Sequence, residues 1–138
     1  MMDYKLLNKK VIVITGGAGL IGRQFSSAVA EHGGVAVVAD RDITAARRVK
    51  EEIIAQYASH VEAEVLDITD KTSITDLIQM LHERHGRIDA VINNAYPRNQ
   101  NYGKKFEDVT YEDFCDNLNT HLGGYFLIAQ QFANYFKE

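Results

Sequence analysis

Short apolar runs alternate along the chain with longer stretches in which apolar residues return every three or four positions. That alternation is the pattern of a parallel sheet whose strands are joined by covering helices. Val11 to Thr15 reads as the first strand, and a helix opening at Leu20 would bury Ile21, Phe25 and Val29 before Gly33-Gly34 ends it. Val35 to Ala39 is the second strand. A helix from about Ile43 to Ala58 follows, with Val49, Ile53, Ile54 and Tyr57 on its inner face and Arg47, Lys50 and Glu51 turned to water. Val61 to Leu66 forms the third strand, and the next helix starts at a Thr69 or Asp70 cap, carries Ile74, Leu77, Ile78 and Leu81 inward and stops at Gly86. Ile88 to Ile92 makes a fourth strand. A polar loop, Asn93 to Lys105, holds the only proline, Pro97. The last helix begins at Thr110, with Asp113 placed like the acidic partner of a capping box. Phe114, Leu118, Leu122, Tyr125, Ala129 and Phe132 keep a helical period almost to Glu138, with Gly123-Gly124 as its weak point.

Between the first strand and its helix stands Thr15-Gly16-Gly17-Ala18-Gly19-Leu20-Ile21-Gly22. A strand that ends in a glycine turn and re-enters as a helix aims backbone N–H groups at an anion. Gly17-x-Gly19-x-x-Gly22 fits the dinucleotide fingerprint: one glycine makes the tight turn, one lets the pyrophosphate approach the backbone, one lets helix and strand pack closely. Pyrophosphate is expected along Gly17 to Ile21. Asp40 lies 18 residues beyond Gly22 at the end of the second strand, where a carboxylate accepts both ribose hydroxyls. This favours NAD over NADP, although the neighbouring Arg41 offsets the repulsion a 2′-phosphate would meet. A helix-capping role is the plainer reading of Asp40. Right-handed crossovers then give the strand order 3-2-1-4. The expected fold is an α/β, Rossmann-like doubly wound parallel sheet, forming one dinucleotide-binding domain over residues 1–138.

Composition narrows the partners. With 46% hydrophobic and 25% charged residues the chain is an ordinary globular domain. A net charge of −4 argues against a nucleic-acid binder, which needs clustered Lys and Arg. The uncharged stretch Val11 to Gly22 is too short and glycine-rich to span a membrane, and the start, Met-Met-Asp-Tyr-Lys-Leu-Leu-Asn, lacks the apolar core of a secretory signal. A cytoplasmic location is expected. Cys115 is alone, so no internal disulfide forms, and it reads as a small apolar helix residue.

Three stations in order resemble the short-chain dehydrogenases and reductases, over essentially the whole chain: Thr15-Gly16-x-x-Gly19-x-x-Gly22, Asp67-Ile68 after the third strand, and Asn93-Asn94-Ala95 after the fourth. The resemblance implies that Asp67 and Ile68 hold the adenine ring, while Asn93 and Ala95 line the cofactor and brace the sheet. As bare residues, Asp67 is equally a turn acid and Asn93-Asn94 a turn pair. The glycine spacing is also that of sugar-nucleotide epimerases and dehydratases, an alternative function, whereas Asn-Asn-Ala typifies simple alcohol and ketone oxidoreductases. His121 falls where the family pattern puts an active-site asparagine; by itself it is a polar helix residue. The stretches 93–99 and 121–125 are similar to flagellin-modification oxidoreductases, which implies a sugar or nucleotide-sugar substrate. Arg98, Lys104 and Lys105, interleaved with Tyr96 and Tyr102, either grip an anionic sugar derivative or form a solvated basic loop.

Hydride transfer to a carbonyl needs a group that delivers or removes a proton. The family supplies it with a serine and a Tyr-x-x-x-Lys, borne on a fifth strand and sixth helix. No tyrosine here is followed four residues on by lysine, and no catalytic residue is assigned. The expectation is a cofactor-binding half, truncated after the long helix and inactive by itself; the alternative is a non-catalytic dinucleotide sensor or partner subunit. Strand four would be a bare edge, so a homo-oligomer burying Phe114, Leu118, Tyr125 and Phe132 is expected.

Overall fold

A computed structural model of the chain describes residues 5–138. Met1 to Tyr4, part of the start read above for a leader, lie outside the described residues. Strands β1 (Val11–Thr15), β2 (Val35–Asp40), β3 (Val61–Val65) and β4 (Ala90–Ile92) form one parallel sheet in the order β3-β2-β1-β4. Between them run α1 (Leu20–Glu31), α2 (Ile43–Gln56) and α3 (Lys71–His85), and a short 3₁₀ turn, Phe106–Asp108, leads into α4 (Tyr111–Lys137). This is the doubly wound arrangement expected from the alternation of runs.

The central strands are apolar at successive positions because both faces of the sheet are covered. Val11, Val13, Val37 and Ala39 pack with Ile74, Leu81, Ile128 and Phe132 on the side of α3 and α4. Ile12, Ile14, Ala36 and Val38 pack with Val29, Ala46, Val49 and Ile53 on the side of α1 and α2. The period of two is therefore present, hidden in sequence by burial on both sides.

Several expected faces and ends differ. In α1 the buried residues are Gly22, Ser26, Val29 and Ala30, while Ile21 and Phe25 are exposed. The close seat of Gly22 on the turn rotates the helix, and Ser26 Oγ donates to Gly22 O at 3.0 Å on that same face. Helix α2 ends at Gln56 because Tyr57 is already extended, and Ile54 faces outward. Strand β4 starts two residues later than read: Ile88 N donates to the Tyr135 hydroxyl and the Asp89 carboxylate accepts from Val11 N, so both belong to a tied-down turn. In α4 the buried residues are Gly124, Ile128, Gln131 and Phe132. Phe114, Leu118 and Leu122 form an exposed stripe with Phe126. Gly124 sets this phase, since a Cβ there would lie 2.7 Å from Ile68 Cδ1; the glycine pair is a point of close packing in an unbroken helix. Cys115 is exposed. Although α4 has no Asp, Glu, Lys or Arg from Asn117 to Phe136, no helix among the described residues is long and apolar enough to cross a membrane.

At the sheet's outer strand, β3 buries a carboxylate. Glu62 is hydrogen-bonded to Arg84, and His60 Nε2 lies 2.9 Å from its Oε1. His85 Nε2 is also 2.9 Å from Oε1, outside hydrogen-bond geometry. Burial pushes the Glu62 carboxyl up, but the Arg84 bond and the charges of His85, Arg84 and His60 outweigh it and hold it below the usual value. A folded-state pKa below the unfolded one gives stability that is present above the unfolded value and lost as pH falls through the folded value. Thermal unfolding should therefore show a loss of stability from pH 4.5 downward. Glu62→Gln should flatten that acid slope; an unchanged slope in the variant would remove Glu62 as its source.

Candidate functional site

The carboxyl ends of β1, β2 and β4 meet at the glycine turn, and a cleft of about 500 Å³ opens there. Gly16 has φ +62°, and a Cβ on it would lie 2.7 Å from Ala95 Cα. Only glycine satisfies both the left-handed backbone and that approach. A Cβ on Gly22 would lie 2.1 Å from Gly16 O, so α1 rests directly on the turn. Thr15 ties this turn to the chain after β4. Its buried Oγ1 accepts from Asn94 N at 2.9 Å and Ala95 N at 3.0 Å and donates to Ile92 O at 3.3 Å. Asn94 Nδ2 returns a bond to Thr15 O at 2.9 Å.

Helix α1 differs from the other helices at its start. Asp42 accepts from Ala45 N on α2, Asp70 from Thr72 N on α3 and Thr110 from Asp113 N on α4, but the N-cap of α1 is Gly19 and has no side-chain acceptor. Its first intrahelical bond is Arg23 N to Gly19 O, so the N–H groups of Leu20, Ile21 and Gly22 end the helix without a side-chain cap. Its first turn has no acidic residue. Leu20 and Ile21, 86% and 65% exposed, lie on the cleft. An uncapped helix end, with its partial positive charge, is suited to an anionic ligand.

Of the residues expected to hold a cofactor, Gly16, Gly19, Leu20, Ile21, Gly22, Asp40, Arg41, Ile68 and Ala95 line this cleft together. Asp40 also holds the turn itself: its Oδ2 accepts from Ala18 N and its Oδ1 from Asp42 N, each at 3.1 Å. The α2 cap is Asp42, not Asp40. Gly17, Asp67 and Asn93 stand outside the lining. A Cβ on Gly17 would lie 2.9 Å from Ile14 O and 3.0 Å from Val38 Cα, so this glycine serves strand packing. The Asp67 carboxylate accepts from Thr69 N at 2.9 Å and Thr69 Oγ1 at 2.7 Å, as a turn acid does. Burial raises its pKa, but the Thr69 bonds and the charge of Arg41 outweigh this and keep it ionised below the usual range. Asn93 Nδ2 donates to Tyr125 O at 3.1 Å, bracing β4 against α4, while its buried Oδ1 has no protein partner.

A family model described as short chain dehydrogenase matches residues 10–138. The chain belongs to the short-chain dehydrogenase family. Members of this family bind NAD(P). The chain is 31% identical over 134 residues to post-translational flagellin modification protein A of Campylobacter coli, covering 96% of this chain and 52% of that protein. It is 37% identical over 89 residues to galactitol 2-dehydrogenase of Agrobacterium fabrum, covering 64% and 33%. It superposes on a short chain dehydrogenase from Mycobacterium smegmatis with a TM-score of 0.83 and 27% identity, over 96% of this chain and 54% of that one. The chain thus spans about half the length of the flagellin modification protein.

Within this short-chain dehydrogenase sequence, the lining residues absent from the expected cofactor set are Leu66, Asn94, Tyr96, Pro97 and Arg98. Asn94 was visible as part of the Asn-Asn-Ala station, and Tyr96 and Arg98 as part of the basic loop. Leu66 gave no signal, since it reads as one more apolar strand residue. His121 is half-buried on α4 with its ring 4.2 Å from that of Tyr96 and 4.7 Å from that of Tyr125. It therefore extends the aromatic surface next to the cleft.

Proposed function

We propose that these residues bind NAD and form the cofactor-binding part of an oxidoreductase acting on a sugar or nucleotide-sugar alcohol or ketone. The observation that carries the proposal is the uncapped start of α1, opening on a cleft with Asp40 at another point of its lining. The N–H groups of Leu20, Ile21 and Gly22 would take the pyrophosphate, and Asp40 a ribose hydroxyl through acceptor sites beyond those used by Ala18 N and Asp42 N. Gly19 fits a group approaching the turn: a Cβ there would meet only Gly16 O, at 3.3 Å, so its missing side chain leaves open space. When bound, the nicotinamide supplies the hydride donor or acceptor. Among these 138 residues no Tyr-x-x-x-Lys provides the proton step, so we assign them binding without turnover. The names of the galactitol dehydrogenase and flagellin modification relatives support the sugar-related part of the reading. The exposed stripe of Phe114, Leu118, Leu122 and Phe126 supports a homo-oligomer, in place of the partly internal face expected from sequence.

Titration with NADH and NADPH tests the cofactor assignment. Wild type should bind NADH more tightly, and Asp40→Ala should weaken NADH by about 1–3 kcal/mol while narrowing its advantage over NADPH. Equal affinity of variant and wild type for NADH would take Asp40 out of the site.

A further inference from the structure

Arg98 lies on the lining of the same cleft, three residues beyond Ala95, in the polar loop. Its guanidinium carbon is 5.3 Å from the centre of the Tyr96 ring and 4.8 Å from that of Tyr102, both within cation–π range. The two rings stand at 81° with centres 5.9 Å apart, and their hydroxyls are 3.4 Å from each other. Tyr96 in turn packs on His121 of α4 at 4.2 Å, so the shelf under Arg98 is anchored on a long helix although Arg98 itself is exposed.

The shelf holds the cation without neutralising it. The hydrogen bond to Tyr102 holds the Tyr96 phenol above its usual range, hence uncharged. Among the described residues no carboxylate lies within ion-pair distance of Arg98, and no protein acceptor is hydrogen-bonded to its guanidinium. Of the loop's two other basic side chains, Lys104 and Lys105, Lys104 is used otherwise: its Nζ is 3.0 Å from Asp113 Oδ2, and Asn101 Nδ2 donates to Asp113 Oδ1 at 2.7 Å. Those bonds fasten the loop to the start of α4, and of the loop's cations Arg98 is the one that lines the cleft and is seated on the tyrosine rings. A guanidinium seated on aromatic faces keeps its planar fork of donors for an external carboxylate or phosphate, which it binds in bidentate fashion.

We propose that Arg98, seated on Tyr96 and Tyr102, docks an anionic group of the substrate, so that the protein takes acidic or phosphorylated sugars in preference to neutral polyols. This deepens the oxidoreductase reading and rests on it for the substrate's place in the reaction; the anion contact itself does not depend on it. The test is a titration of the chain, with and without NADH, using glucuronate, glucose 6-phosphate and neutral glucose. The readout is the Arg98 Nε–H signal and the Tyr96 and Tyr102 ring signals by NMR. Saturable shifts are expected with an anionic sugar and not with glucose; the glucuronate and glucose 6-phosphate arms separate carboxylate from phosphate recognition. Arg98→Gln should weaken anion binding about ten- to a hundredfold, and Arg98→Lys should recover only part of it, as a point charge replaces the fork. Equal shifts with glucose, no saturable shift with either anion, or wild-type affinity in Arg98→Gln would overturn the proposal. Failure of the dinucleotide reading shows separately, as absence of NADH saturation in the wild type, and leaves the titration without NADH to decide Arg98.

Discussion

Gly22→Ala should destabilise the fold by about 3 kcal/mol, the upper range for forcing extra volume into a packed site, and abolish dinucleotide binding. The new Cβ would stand 2.1 Å from Gly16 O, 2.8 Å from Gly17 Cα and 2.9 Å from Asn94 Nδ2. Two of these neighbours are backbone atoms of the turn, and the third is held by Thr15 O and Gly16 O. None is a flexible side-chain end, so α1 must move away from β1 and carry the Leu20, Ile21 and Gly22 N–H groups with it. Gly19→Ala supplies the contrast. Its Cβ meets only Gly16 O at 3.3 Å, so the fold should be kept within about 1 kcal/mol while the methyl intrudes on the cleft and weakens NADH. Urea unfolding of the two variants beside NADH titration separates the effects. Equal stability of Gly22→Ala and wild type would mean that the helix does not rest on the turn.

Thr15→Val should cost about 3 kcal/mol, although valine has nearly the shape of threonine. The Oγ1 it removes is fully buried and serves Asn94 N, Ala95 N and Ile92 O together. Two backbone donors would lose their acceptor, each at the cost of a desolvated unpaired group. The damage should extend beyond stability, because these bonds place the chain that carries Ala95, Tyr96 and Arg98 against the glycine turn. Denaturant unfolding gives the cost. Hydrogen exchange should show faster exchange of the Asn94 and Ala95 amides, whereas unchanged exchange would place the clasp elsewhere.

Much of this architecture was legible from residue order. The apolar runs located all four strands, and Asp70, Gly86 and Thr110 marked helix ends by the chemistry of their caps. What periodicity did not reveal was helix rotation. Phe114, Leu118, Leu122 and Phe126 recur at the spacing of a buried face, yet α4 turns that stripe outward because Gly124 fits against Ile68. In α1 the small residues Gly22 and Ser26 take the inner face, and Ile21 is left at the cleft. Close approach of small residues decided both, and a hydrophobicity pattern gives glycine little weight. At the site, the glycine block and Asp40 were legible because their spacing encodes a turn and a strand end. Asp67, Asn93 and Gly17 read as cofactor contacts in the sequence; the folded geometry adds that each also bonds or packs within the chain, Asn93 bracing the sheet as expected. The free N–H groups at the start of α1 were legible from the glycine turn, and the structure adds that the N-cap is Gly19, which supplies no side-chain acceptor.

In the function proposed above, the uncapped start of α1 receives a dinucleotide pyrophosphate. Backbone amide NMR during titration of this chain with NAD tests it most directly. Saturable shifts are expected, largest at the Leu20, Ile21 and Gly22 amides, with accompanying shifts at Asp40 and Ala95. Saturable binding that leaves the three α1 amides unmoved, or no saturable binding, would contradict it.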